Sequence, residues 1–203
     1  EHLLFKGTRK RTTQEISQAV EGIGGYLNAF TSEENTCFHA RASHRHLDDL
    51  LEVLLDMLLH SRCLPEDVKK EREVIKEEVS MSLDEPQHLV QELLNSVVWA
   101  GHPLGRPITG TFASLDALNR DQIMRWLRAS YVASRTVIVA AGRVSHREVR
   151  RAVARYGGRF RQGSASSYLP LVTTQTKPGF RLATKKAEQT QMALGVRACA
   201  RHD

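Results

Sequence analysis

Residues 71–78 read Glu-Arg-Glu-Val-Ile-Lys-Glu-Glu, an acidic segment a few residues after Pro65. Pro65 fits the first position of a helix, because its missing N–H group and fixed φ suit a helix start. Glu71 and Glu78 are seven residues apart, so both carboxylates project from one side of the predicted helix. An acidic helix face is usually solvated surface, but two carboxylates held in this way can contribute to one site.

The chain opens with Glu1 and His2 and continues as Leu-Leu-Phe-Lys-Gly-Thr. This opening resembles the end of the inverted zinc motif His-x-x-Glu-His of the pitrilysin-type (M16) metallopeptidases, which usually continues as Phe-x-Gly-Thr. In that family the third zinc ligand is a downstream glutamate, preceded two turns earlier by a second glutamate. Glu78 and Glu71 stand at the matching distances from His2. The sequence therefore resembles an N-terminal M16 half that is truncated inside the zinc motif.

The resemblance implies a role for each of these four residues. His2 and Glu78 would be zinc ligands, and the first histidine of the motif would lie three residues before Glu1, outside the sequence. Glu1 would be the catalytic general base, which takes a proton from zinc-bound water and passes it to the leaving amine. Glu71 would assist catalysis by orienting a ligand or by hydrogen-bonding its partner histidine.

The implied function is a metalloendopeptidase that uses Zn²⁺ to hydrolyse peptide bonds in unfolded peptides or presequences. The alternative is a non-catalytic M16-fold partner subunit or scaffold protein. Such relatives typically lose the ligands or the base, so the presence of all four residues favours the enzyme. We expect the 203-residue chain alone to be inactive, because one ligand and the substrate-gripping residues of a second half are missing. A second M16 half or a partner subunit would complete the chamber.

Residues 26–31 and 36–42 predict two strands joined by a polar turn at 32–35. Taken alone, this pattern is that of an ordinary structural hairpin. In the M16 family the matching Asn-Ala-x-Thr strand is a sheet edge beside the zinc, to which the substrate adds as a further strand. Asn28 and Ala29 are therefore candidate substrate-binding residues, since main-chain pairing holds a peptide extended without reading its side chains.

Glu92 is a candidate specificity residue. It lies with Asp84 and Glu85 just after the ligand helix, and M16 members that cleave targeting presequences favour substrates with arginine near the cut. An acidic wall would attract such peptides electrostatically. The alternative interpretation is plain surface charge.

Helical spacing and capping patterns predict most of the remaining elements. A capping box at Thr12 starts a first helix that ends at Gly24, and Ser43 is a candidate N-cap for a leucine-rich helix reaching Leu59. Further helices are predicted after Pro65, from about 86 to 99, near 114–118, and over 120–130 and 145–156. Residues 102–111 are predicted to be a loop, and 136–141 and 185–196 to be strands.

Hairpins and long amphipathic helices occur in blocks in this sequence, which predicts an α+β fold. The resemblance implies a mostly antiparallel sheet with helices packed largely on one face. We expect a first M16-type domain over 1–160, a linker over 161–179 rich in Ser, Thr and Gly, and the start of a second, similar domain over 180–203.

Charge is distributed unevenly along the chain. Residues 1–100 contain 11 Lys and Arg against 18 Asp and Glu, a net −7, and the remainder contains 18 against 5, a net +13. The arginines of the second half, including Arg159, are not accompanied by a recognition motif or interleaved aromatic residues, so nucleic acid is not an expected partner. No apolar run reaches the roughly 18 residues that span a bilayer. A cytoplasmic location is favoured.

The other cysteines and histidines are not spaced in the chain as the ligands of a metal site are. Cys37, Cys63 and Cys199 are too widely separated for a thiolate zinc site or a disulfide framework, and are expected to be reduced. We predict that His39, His44, His46 and His60 are solvated surface residues.

Overall fold

The computed structural model describes residues 1–158, 160–163, 168–171, 175–186, 188–196 and 198. The chain divides into two units. The first comprises Glu1–Arg72 and Ala117–Ser167, and the second comprises Glu73–Asp116 and Tyr168–Asp203. Arg159 and Cys199 lie outside the described residues, while Cys37 and Cys63 are free thiols as expected.

The first unit begins with a short 3₁₀ helix, His2–Phe5, followed by helix α1, Thr13–Glu21. The predicted capping box starts α1. The Thr12 hydroxyl accepts a hydrogen bond from the Glu15 backbone N–H, and the Glu15 carboxylate accepts one from the Thr12 N–H. After α1 the backbone of Gly24 has a φ of +67°, which glycine adopts without steric cost, and the chain turns into the hairpin.

The hairpin consists of strands β1, Tyr26–Thr31, and β2, Thr36–Arg41, as predicted. They form an antiparallel pair whose register runs from Tyr26 opposite Arg41 to Thr31 opposite Thr36. Side chains alternate between the two faces of this ribbon. Leu27 and Ala40 pack against the core on the inner face. On the outer face the ring of His39 lies 6.1 Å from that of Tyr26 and 6.2 Å from that of Phe30.

Helix α2, Leu47–His60, contributes three of the five buried residues of the core cluster in the first unit. The helix predicted from Ser43 opens instead with a 3₁₀ turn at His44–His46. Its apolar stripe packs against α1, since both helices need to bury one face. Because Leu27 and Ala40 join this cluster, the helices cover the inner face of the hairpin. The buried members of the cluster are Ile16, Val20, Leu50, Val53 and Met57.

Helix α3 spans Pro65–Asp84 and begins at the predicted proline. The first unit also contains α6, Arg120–Ser130, and α7, His146–Tyr156. A capping box of Ser145 and Glu148 starts α7, as predicted. The end of α7 is tied to α2, because Arg155 Nη1 and the Tyr156 hydroxyl both donate to Asp48 Oδ2, the former at 3.1 Å.

The second unit contains the rest of α3, then α4, Pro86–Val98, and most of α5, Phe112–Ala117. The predicted loop at 102–111 includes a 3₁₀ turn at Pro103–Gly105. Lys76 Nζ lies 2.6 Å from Asp116 Oδ1, which links α3 to α5. Lys185 Nζ lies 2.7 Å from Asp84 Oδ1, which links a later extended segment to the end of α3.

The α+β prediction is confirmed, but two predicted strands are wrong. In the part of the chain that the structure describes, the sheet consists of β1 and β2 alone. Neither 136–141 nor the described residues of 185–196 form a strand. A strand requires a hydrogen-bonded neighbour. No such neighbour occurs for 136–141 among the described residues, and Val137 and Val139 are 86% and 83% exposed.

No helix in the described ranges is both long and apolar enough to cross a membrane.

Candidate functional site

The most buried part of the candidate site is a contact between the start of the chain and helix α3. His2 Nδ1 lies 3.1 Å from Glu71 Oε2, and Lys6 Nζ lies 2.8 Å from Glu71 Oε1. Glu71 is only 6% exposed, although its helix segment is acidic. Both oxygens of this buried carboxylate are therefore paired, which offsets the desolvation that burial imposes on it.

The His2–Glu71 contact determines the chemistry of the imidazole. An ionised carboxylate can only accept hydrogen bonds, so Nδ1 of His2 is the donor. In the neutral ring the lone pair is then on Nε2. A histidine ring whose Nδ1–H is held by a carboxylate is the usual arrangement for a metal ligand, because the carboxylate fixes the tautomer and raises the basicity of the other nitrogen.

Glu1 is held from the hairpin side. The Thr31 hydroxyl donates a hydrogen bond of 2.6 Å to Glu1 Oε2, and the hydroxyls of Thr31 and Thr36 lie 3.3 Å apart. Tyr131 is close to the same group. Burial raises the pKa of its hydroxyl, hydrogen bonding with the Thr36 side chain opposes part of that rise, and repulsion from Glu1 adds to it. The Trp126 ring packs edge-on against Tyr131 at 5.6 Å.

Asn28 and Ala29 lie in the middle of β1. The backbone N–H of Ala29 donates to Asn28 Oδ1 at 2.8 Å, and Asn28 Nδ2 donates to the Tyr26 hydroxyl at 2.7 Å. The Ala29 N–H is thus bonded to a side chain of its own strand. It points away from β2, towards the edge of the hairpin that no strand of the described residues covers.

The two remaining predicted residues, Glu78 and Glu92, belong to the second unit. Glu78 is half-buried on α3, seven residues after Glu71. Glu92 lines a cavity of about 100 Å³. The rest of the lining is mostly apolar and comes from α3, the loop before α5 and the first residue of α5: Val79, Ser82, Leu83, Pro107, Thr109, Gly110, Thr111 and Phe112.

Within the described residues, no group of three or more His, Cys, Asp or Glu side chains is arranged to hold a metal ion. The donors present are nevertheless of the types that zinc takes, namely a histidine nitrogen and glutamate oxygens. The orientation of His2 by Glu71 also fits a zinc ligand. The chemistry of the donor set is therefore compatible with zinc.

A second polar cluster lies beneath the loop that follows the first 3₁₀ helix. Asp56 of α2 is 3% exposed. It accepts hydrogen bonds from the Thr8 hydroxyl at 2.6 Å and from Arg11 Nη1 at 2.9 Å, and His60 Nδ1 lies 2.9 Å from its other oxygen. Burial would lower the pKa of Arg11, but hydrogen bonds to Glu52 and Asp56 outweigh it and raise that pKa.

The Asp56 cluster corrects one prediction. His60 is not a solvated surface residue, because its side chain is only 19% exposed and is paired with a buried aspartate. His39, His44 and His46 lie at the surface or half-exposed, as expected.

Sequence reasoning missed the residues that hold the predicted ones in place: Lys6 on Glu71, and Thr31 and Thr36 beside Glu1. Lys6 belongs to the Lys-Gly-Thr segment that carried the resemblance, and Thr31 belongs to the same strand as Asn28. Both segments had therefore been recognised, but without a role for these side chains.

Comparison with known families decides the classification. The family model described as insulinase (peptidase family M16) matches residues 1–112, more than half of the chain. The chain belongs to the M16 peptidase family. A second model, described as the peptidase M16 inactive domain, matches residues 117–203 of this M16 chain.

Similar proteins carry matching descriptions. A protein from Mycobacterium leprae described as an uncharacterized zinc protease is 36% identical over 204 residues, covering 99% of the M16 chain and 46% of the relative. A protein from Streptomyces coelicolor with the same description is 38% identical over 209 residues, covering 100% of the M16 chain and 46% of the relative. The chain thus spans about half the length of these relatives.

Solved structures show the same fold. A protease from Helicobacter pylori superposes with a TM-score of 0.78 at 20% sequence identity, covering 85% of the M16 chain and 42% of the other. At this identity the likeness concerns the fold alone.

Proposed function

We propose that this chain is the metal-binding half of a zinc-dependent metalloendopeptidase. The observation that carries the proposal is the 3.1 Å contact between His2 Nδ1 and the buried carboxylate of Glu71. Burying a carboxylate is costly. An imidazole held in one tautomer by such a group is the arrangement expected of a metal ligand.

His2 and Glu78 are the residues of this chain that would hold the zinc, together with a histidine expected three residues before Glu1. When bound, zinc acts as a Lewis acid and lowers the pKa of water to about 7. Glu71 would keep Nδ1 of His2 protonated and Nε2 directed to the metal. Lys6 would pair with Oε1 of Glu71 and leave Oε2 to the His2 hydrogen bond.

Glu1 would be the general base. It would accept a proton from the attacking water on its carboxylate and deliver that proton to the leaving amine nitrogen. Thr31 occupies Oε2, so Oε1 is the oxygen proposed to take the proton.

The exposed edge of β1 would bind the peptide substrate. The Ala29 N–H points to this edge, and alternation along an antiparallel pair places the N–H and C=O groups of Leu27 and Thr31 there as well. A peptide that adds to this edge would displace the Asn28 side chain from the Ala29 N–H and replace that bond with a main-chain one. Binding through the main chain suits unfolded peptides or presequences.

Glu92 remains a proposed determinant of preference for arginine-containing peptides. Its partly apolar cavity in the second unit could take the stem of such a side chain while the carboxylate bonds the head group. Glu92→Gln should then reduce cleavage of arginine-containing peptides relative to matched peptides that carry norleucine instead. An unchanged ratio would leave Glu92 as surface charge.

The domain division that we propose has a first M16-type domain over 1–160, a linker over 161–179 and the start of a second, similar domain from 180. A second M16 half or a partner subunit would complete the peptidase, and the 203-residue chain alone is expected to be inactive.

The test is peptide hydrolysis by the full-length protein. It should cleave a quenched fluorescent peptide, lose that activity to a chelator and recover it with zinc. Glu1→Gln should abolish cleavage while zinc binding is retained. An active Glu1→Gln protein would remove the general base from the scheme.

A second candidate function is a non-catalytic M16 subunit. The observation that favours it is the match of residues 117–203 to the model described as an inactive domain. Full-length protein that binds the quenched peptide, takes up no zinc and does not cleave would support this function against the peptidase.

A further inference from the structure

The candidate general base is anchored by a pair of threonines. Thr31 Oγ1 lies 2.6 Å from Glu1 Oε2 and 3.3 Å from Thr36 Oγ1. Each threonine hydroxyl has one hydrogen to donate and two lone pairs. The hydrogen of Thr31 is used on the carboxylate, so Thr31 accepts from Thr36 and the hydrogen bonds run in one direction, from Thr36 through Thr31 to Glu1.

The hairpin register holds the two threonines together. Thr31 lies directly opposite Thr36. The Ser32 N–H donates to the Asn35 carbonyl at 2.8 Å, and the Ala29 N–H bonds to its neighbour's side chain rather than to β2. Both observations make the Thr31–Thr36 pair one of the pairs without ladder hydrogen bonds, since bonded and non-bonded pairs alternate. Side chains lie closer together at such a pair, which explains the short distance between the hydroxyls.

The orientation of the Glu1 side chain depends on this pair of threonines rather than on the apolar contacts nearby. The first 3₁₀ helix is fixed to the hairpin by apolar packing of Phe5 against Phe38, whose rings lie 6.0 Å apart. That contact positions the backbone of the helix but leaves the torsions of the Glu1 side chain unspecified. Among the described residues, the Thr31 hydroxyl is the side-chain group that hydrogen-bonds the Glu1 carboxylate and so favours one orientation of it.

We propose that Thr31, oriented by Thr36, is a positioning residue that aligns the Glu1 carboxylate for proton transfer. This inference rests on the proposed function, because it assumes that Glu1 is the general base. Tyr131 lies beside the same pair, because both the Thr36 side chain and Glu1 influence the pKa of its hydroxyl. Hydrogen bonds in such a chain polarise one another, so the outer members strengthen the inner bond to the carboxylate.

The first test compares Thr31→Val with Thr31→Ser in the full-length protein. Valine keeps the shape and removes the donor, so kcat should fall about tenfold while KM changes little. Serine keeps the hydroxyl and should restore most of kcat. Zinc affinity, measured by chelator competition, and the melting temperature should be unchanged in both variants. Thr13→Val, an exposed threonine of α1, is the matched control.

A second test uses the direction of the hydrogen bonds. Thr36→Val leaves the hydrogen bond from Thr31 to Glu1 in place but removes the hydroxyl that donates to Thr31. The value of kcat should therefore fall only about two- to threefold. Tyr131→Phe should have a smaller effect still. If Thr31→Val lowers the melting temperature, the losses of kcat in Thr36→Val and Tyr131→Phe still test the proposal, because both variants keep the hydrogen bond from Thr31 to Glu1.

The outcomes separate this inference from the function on which it rests. If Glu1→Gln is inactive but Thr31→Val keeps the full kcat, the positioning role is overturned and the proposed peptidase function stands. Glu1→Gln active would overturn the general base and this inference with it. A loss of kcat in Thr31→Val that serine does not restore would also overturn the positioning role.

Discussion

The imidazole of His2 and the carboxylate of Glu71 are hydrogen-bonded at 3.1 Å although 69 residues separate them in the chain. The carboxylate is buried and carries a second partner, Lys6, at 2.8 Å. The arrangement ties the start of the chain to α3 and orients Nδ1 of the imidazole towards a carboxylate.

Glu71→Gln should weaken zinc binding by about 10- to 100-fold, because the amide no longer holds the imidazole through a charged hydrogen bond. Chelator competition on the full-length protein measures this. Glu73→Gln is the matched control, since Glu73 is an exposed glutamate of the same helix whose side chain is 65% accessible. Equal zinc affinity in both variants would contradict the role of Glu71.

Asp56→Ala should destabilise the protein by about 3 kcal/mol or more, because it leaves buried Thr8 and the Arg11 guanidinium without their shared acceptor. Urea unfolding measures the change. Asp49→Ala on the same helix removes an exposed pair with His46 and should cost less than about 1 kcal/mol. A similar loss in the two variants would show that the Asp56 cluster contributes little.

Stability should fall with acid partly through Glu52. Burial would raise the pKa of its carboxyl, but hydrogen bonds from Lys10 and Arg11 outweigh burial and lower that pKa. A carboxyl with a lowered pKa in the folded state stabilises the fold at pH values above its unfolded pKa. That stabilisation is lost as the pH falls through the folded value.

Glu52→Gln should therefore lower the melting temperature at pH 7 and flatten its dependence on pH below about 5. Thermal unfolding across that range measures both effects. Glu66→Gln, an exposed carboxylate at the start of α3, should keep the wild-type slope. A wild-type slope in Glu52→Gln would show that other groups carry the acid sensitivity.

Ser145→Ala should destabilise α7 by about 1 kcal/mol, because the serine hydroxyl caps the Glu148 N–H. Chemical unfolding followed by circular dichroism measures the loss. Ser145→Thr keeps the hydroxyl and should retain most of the stability. If alanine and threonine behave alike, the hydroxyl is not what stabilises the helix start.

Local signals in the sequence were sufficient for most helices. Thr12, Pro65 and Ser145 mark helix starts because each satisfies or avoids an unpaired backbone N–H within a few residues of itself. The α+β class follows from the same local patterns. The segment 136–141 failed as a strand because strand formation depends on a neighbour that local sequence does not specify.

The candidate site was less accessible to sequence reasoning. Glu1, His2, Glu71 and Glu78 were found through a resemblance, and their roles remain predictions. The contact of Lys6 with Glu71 and the burial of Asp56 had no periodic or compositional signature, because both depend on packing between distant segments. The prediction for His60 was wrong for the same reason. Its partner Asp56 has no local sequence feature that distinguishes it from an exposed helix aspartate, and its burial depends on the tertiary fold.

The alternation of β1 also bears on how this segment can vary among homologues. Leu27 is fixed in the core, so one residue gained between it and Thr31 would turn the threonine to the opposite side of the ribbon and put Phe30 in its place beside Glu1. Length changes should therefore be rare within the strand. They should collect instead in the exposed turn at 32–35, outside the two strands.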